Sequence, residues 1–142
     1  MSVLGGAASG QDGAVRGEPQ AWQTTGPVTS ITITANGARS VDVSGEETAA
    51  ACSRFLLREM DVREFFKIAQ PVDFRAYHHD LEMSRCHVRG RIRFADGSGG
   101  HFWIDRERRG RLLLTSGRTI FLYCHRCTAW LFEPVYDPDR DG

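Results

Sequence analysis

The chain carries four cysteines and five histidines, and these have the widest chemistry open to them. The sharpest grouping is Cys124-His125-Arg126-Cys127, with Cys86-His87 upstream. Three thiolates and one imidazole, from His87, His101 or His125, would complete a tetrahedral zinc site. A zinc ribbon needs two C-x-x-C halves, however, and only one is present. A thioredoxin-type dithiol would open a helix, whereas this motif ends a strand. The plainer reading makes the cysteines small core residues. No cofactor is therefore expected, and zinc on Cys86, Cys124, Cys127 and His125 is the alternative. Cys52 falls on an apolar helix face and is expected to be inert. Export from the cell would instead allow a bond from Cys86 to Cys124 or Cys127.

Tyr77-His78-His79-Asp80 is a second candidate, for metal binding or proton transfer. Neighbouring residues on a strand face opposite ways, so His78 and His79 would not share one ion, and solvation at a strand end or loop is preferred. A third candidate is the alternating run His87, Arg89, Arg91, Arg93, preceded by Arg85 and followed by Arg106, Arg108, Arg109 and Arg111. This row, with Phe102, Trp103, Phe121 and Tyr123 as stacking surfaces, would suit phosphate or nucleic acid. It would equally suit an acidic protein surface, because arginine and tryptophan are favoured at interface centres. The expected partner-binding set is Arg89, Arg91, Arg93, Trp103, Arg106 and Arg108. Neither a phosphate-binding glycine loop nor a G-x-S-x-G elbow is present, and no catalytic residues are expected.

The elements that must position these groups follow from periodicity. Residues 1–26 lack an apolar period and read as a disordered head, with Trp22 as a possible anchor; 133–142 read as an acidic, disordered tail. One domain, 27–132, remains. Ile31 and Ile33, Asn36-Gly37, then Val41 and Val43 predict an N-terminal β-hairpin with a three-residue loop and Gly37 left-handed in a bulge. Ser44 with Glu47 predicts a capped helix carrying Ala49, Cys52, Phe55, Leu56 and Met60. Asp61 and Glu64 repeat the cap signature, so the helix either breaks there or runs to Gln70 before Pro71. From Cys86 onward strands alternate: 86–94, a turn at 96–100, 101–105, 112–115 and 119–124, with 129–132 as a short edge strand. The expected class is α+β, with one or two helices packed on a curved antiparallel sheet, a cystatin-like sandwich in architecture.

Charge and composition narrow the functions. Basic and acidic side chains number 18 each, for a formal net charge of zero. No whole-molecule field therefore steers the chain onto nucleic acid or an anionic membrane, and any charge-driven partner must use a local patch. Lys67 is the only lysine. No membrane span and no signal peptide are visible, so a cytoplasmic location with reduced thiols is expected.

Cys86-x-x-x-Gly90-x-Ile92-x-Phe94, Gly97, Gly100-x-Phe102-x-Ile104, Gly110, Gly117 and Leu122-Tyr123-Cys124-x-x-Cys127 together resemble small bacterial proteins of toxin–immunity gene pairs. The resemblance spans roughly residues 45–130 and rests on turn glycines and core positions. It implies a non-enzymatic protein that binds and neutralises a cognate toxin, and it carries over no functional residue. The expected function is thus an immunity-type inhibitor. A nucleic-acid-binding module using the arginine row and a small zinc- or thiol-dependent protein are the alternatives. Nucleic acid is disfavoured by the zero net charge.

Overall fold

The computed structural model describes residues 26–43, 45–127 and 132. Elements run in the order β1 (Val28–Arg39), α1 (Ala49–Cys52), α2 (Glu59–Ile68), β2 (Gln70–Val72), a π-helical turn (Ala76–Asp80), β3 (Cys86–Phe94), β4 (Gly99–Asp105), β5 (Arg109–Leu114) and β6 (Thr119–Tyr123). The class is α+β. All six strands form one antiparallel sheet in the order β1-β3-β4-β5-β6-β2. The meander β3–β6 is its centre. The helices carry the chain from the β1 edge to the β2 edge.

The alternation expected for β3 is present. Val88, Gly90, Ile92 and Phe94 are buried, while Arg89, Arg91 and Arg93 are exposed. Phe102, Ile104, Leu112 and Leu122 continue the inner face across the sheet, and Phe55, Leu57, Val62, Phe65 and Phe66 cover it from the helical side. The Phe66 ring meets Phe102 edge-on at 5.8 Å. Gly110 lets the helix layer approach, since a Cβ there would lie 2.5 Å from the Phe65 ring. Phe132 packs on the same cluster, 5.7 Å from Phe55.

Three local expectations are corrected. The N-terminal hairpin is instead one strand of 12 residues, and 41–43 form bends, not a returning strand. Asn36-Gly37 makes a bulge within β1, where the pairing with β3 shifts register between Ala35 and Ala38. Gly37 is left-handed there, with φ of 59°. The Asn36 amide explains the difference: its Nδ2 donates to the Leu57 carbonyl at 2.8 Å and its Oδ1 accepts from the Leu57 N–H at 3.0 Å. The residue with the turn signal is thus occupied in holding the segment before α2 against β1.

The helix is also shorter than its periodicity suggests. α1 is a single turn capped by Thr48, and the expected cap Ser44 lies outside the described residues. Phe55 and Leu57 turn inward, while Leu56 and Met60 are 50% and 61% exposed. α2 is capped at Arg58, not at Asp61: the Asp61 carboxylate reaches back three residues to the Arg58 N–H at 2.7 Å. The helix stops before Pro71, as expected. The His78-His79 segment lies on the π-helical turn, not on a strand.

The third correction concerns sulfur. Cys52 is bonded to Cys86 and Cys124 to Cys127, and no described cysteine is free. Cys52 is therefore a cross-link between α1 and β3, not an inert core thiol. The expected head residues 1–25 with Trp22, the tail 133–142 and most of the edge strand 129–132 lie outside the described residues. Among those described, no helix is long and apolar enough to cross a membrane.

Candidate functional site on the outer sheet face

One face of the sheet is closed by helices. On the other, the antiparallel register sets arginines around an aromatic centre. Arg89 pairs with Trp103, which pairs in turn with Arg111 on β5. Arg91 stands opposite His101, and Arg93 opposite Gly99. The two guanidinium groups flanking Trp103 lie 5.9 Å (Arg89) and 4.8 Å (Arg111) from its ring centre. Cation–π attraction of this kind orders an indole without removing it from solvent, and Trp103 is half-buried.

His87 supports the tryptophan from below. It extends the arginine row in sequence, yet it is buried, with its ring stacked on Trp103 at 3.8 Å and 11°. Arg89 Nη1 donates to His87 Nε2 at 3.1 Å. Because arginine can only donate, a neutral imidazole must carry its proton on Nδ1. That atom faces Ser40 Oγ at 3.1 Å and the Arg85 carbonyl at 3.3 Å. Burial, and then the charges of Arg89 and Arg111, hold the His87 pKa below its ordinary value. His87 is thus a neutral platform on which Trp103 rests.

Below this stack, Asp105 fastens the β4–β5 turn. Its carboxylate accepts from the Ser84, Glu107 and Arg109 N–H groups and from Arg109 Nε at 3.0 Å. Arg109 also donates to the Tyr77 carbonyl at 2.7 Å and lies over the Tyr77 ring. Burial pushes the Asp105 pKa up to about 6, against the opposing pull of Arg109 and these hydrogen bonds.

Arg89, Arg91, Arg93 and Trp103 of the expected set come together on this face. Among the described residues none of the three arginines pairs with a carboxylate. Arg106 and Arg108 do not join them. Arg106 binds Glu47 at 2.8 Å. Burial alone would raise the Glu47 pKa, but Ser84, the Arg85 N–H and Arg106 outweigh it and hold the carboxyl below its ordinary range. Arg108 is only 7% exposed, adopts a φ of 71° and donates to the Cys127 carbonyl at 2.9 Å. Both are structural, so Arg111 replaces them in the site. Phe102, one of the expected stacking surfaces, lies in the core. Phe121 is half-buried beneath Phe74, Tyr77 and His78.

The zinc set is not assembled. Cys86, Cys124 and Cys127 sit in two separate bridges, which removes their thiolates, and His125 is left beside Tyr123. Among the described residues no three metal-ligating side chains cluster.

No family model, curated protein or solved structure matches this chain.

Proposed function

We propose that this chain is a non-catalytic protein-binding domain, an immunity-type inhibitor that neutralises a bacterial toxin by covering it with the outer sheet face. The observation that carries this reading is Trp103 held between Arg89 and Arg111, with Arg91 and Arg93 alongside and, among the described residues, no carboxylate paired with any of these arginines. A rigid indole braced by arginines has the composition of an interface hot spot. Uncompensated guanidinium groups around it favour an acidic partner and would speed its approach. Zero net charge restricts that attraction to this face.

The two disulfides fit an oxidising compartment better than the cytoplasm, so the toxin would be met outside the cytoplasm. A cytoplasmic chain would instead carry both bridges open. Mass spectrometry of alkylated protein from its own cell separates the two. The functional test is growth. Where a toxin domain is encoded in the neighbouring gene, its co-expression with this chain should restore growth of a sensitive host, and Arg89→Glu with Arg111→Glu should abolish the rescue while leaving the fold intact. Full rescue by the charge-reversed chain contradicts the proposed surface.

A further inference from the structure

A second feature of the outer face goes beyond docking of a protein and needs no protein partner. Where β1, β3 and β4 meet the β5–β6 turn, a cavity of about 240 Å³ opens to solvent. Ser30, Thr32, Arg91, Arg93, His101 and Thr115 line it. The register explains why they converge. Ser30 stands opposite Arg93 and Thr32 opposite Arg91 on the β1 side, while His101 stands opposite Arg91 on the β4 side.

The lining is one of donors. Two guanidinium groups, three hydroxyls and an imidazole line the cavity, and none of the described lining residues is a carboxylate. Arg93 Nη1 donates to the Gly97 carbonyl at 3.1 Å, which fixes the side chain and leaves its other N–H groups to the cavity. Arg91 and the Ser30, Thr32 and Thr115 hydroxyls make no hydrogen bond among the described residues. Asp96, in the neighbouring turn, is outside the lining and accepts from the Ser98 N–H at 2.8 Å. Gly99 forms part of the floor. A Cβ there would lie 2.7 Å from the Ile92 carbonyl, so the close pairing of β3 with β4 leaves the floor without a side chain.

We propose that this cavity binds a small phosphate-bearing anion between Arg91 and Arg93, with the hydroxyls of Ser30, Thr32 and Thr115 and the His101 ring as further donors. A carboxylate offers two oxygens. A phosphoryl group offers three, so it can engage more of these donors at once, and guanidinium groups bind it in paired, charge-assisted bonds. A second cavity of about 150 Å³ shares His101 and is bordered by Arg89, Trp103 and Arg111. It gives an aromatic substituent on the phosphate a surface to lie on.

The test is calorimetric titration of the full chain at low ionic strength with inorganic phosphate and, separately, phenyl phosphate. One saturable site is expected. Arg91→Gln and Arg93→Gln should each weaken it about tenfold or more, as loss of a charge-assisted hydrogen bond requires. Thr32→Val, which keeps both shape and charge, should weaken it about fivefold. Arg54→Gln, on an exposed loop of the helical side, should leave it unchanged. Tighter binding of phenyl phosphate assigns the ligand to the aryl-ester class. Equal binding assigns it to free phosphate. No saturable binding, or an equal loss in Arg54→Gln and Arg91→Gln, overturns the site. Arg89→Glu with Arg111→Glu, which disables the docking surface, should leave a saturable inorganic-phosphate site, so the two readings fail separately.

Discussion

At the residue scale, His87 braces the aromatic centre of the outer face. Periodicity assigns it to the exposed arginine row, and its place on β3 does give it the outer face. What periodicity does not carry is the neighbour across the strand pair. The turn at 96–100 was legible, and stepping outward from it pairs 93 with 99, 91 with 101 and 89 with 103. That counting contains the Arg89–Trp103 pair, but not the indole leaning over His87, which depends on side-chain rotamers. The consequence is a dependence on pH. The folded state depresses the His87 pKa, so its contribution is full above about 6.5, the free imidazole value, and is lost as pH falls toward the folded value. Asp105, cross-strand from His87, acts in the opposite sense. Its folded pKa is raised from 3.8 to about 6, so its contribution is greatest at acid pH and is lost as pH rises through that interval. Subtraction isolates the histidine: the difference in melting temperature between the native chain and His87→Phe should shrink steadily from pH 8 to pH 5. A constant difference would mean that His87 is not held neutral.

At the scale of elements, the sheet was legible and the connections were not. β3 to β6 announce themselves by alternation and by glycine-rich turns, because one face is buried and the other wet. The β1 region misled because Asn-Gly serves equally as a hairpin turn and as a bulge. Which one forms was decided by a partner 21 residues away, Leu57. Helical spacing misled in the same manner. Cys52, Leu56 and Met60 share a helical period, yet α1 ends after one turn at Cys52, which is bonded to Cys86 on the sheet. That bridge closes a loop of sequence separation 34. Loop-closure entropy for this length gives about 3–4 kcal/mol of stability. Cys52→Ala with Cys86→Ala should lose about that much in urea unfolding. The Cys124–Cys127 bridge spans only three residues and constrains the unfolded chain far less. A loss well under 1 kcal/mol in the double variant would show that the α1–β3 link is not closed in solution.

For the molecule as a whole, the division of labour is between the two faces of one sheet. Helices α1 and α2, the disulfides and most of the described phenylalanines serve the inner face, so the outer face can keep charged and polar groups without cost to the core. Arg106 and Arg108 show why sequence proximity is a poor guide to that surface. Both lie in the β4–β5 turn among other arginines, but the turn folds toward the helical side, where Glu47 and the Cys127 carbonyl take them up. Arg111 and the β1 hydroxyls belong to the surface instead. Alternation from Gly110 and Leu112 points to Arg111, whereas Ser30 and Thr32 became neighbours of the arginines only because β1 is a single strand beside β3.

In the function proposed, Arg89, Trp103 and Arg111 form the centre of a protein interface. This is tested most directly by the affinity of the purified toxin domain for the native chain, for Trp103→Ala and for Arg89→Glu with Arg111→Glu. Trp103→Ala should weaken binding by about thirtyfold or more, the scale of a truncated hot spot. The charge reversal should weaken it further and flatten its dependence on salt. An affinity and salt dependence unchanged in both variants would contradict the account and move the interface off this face.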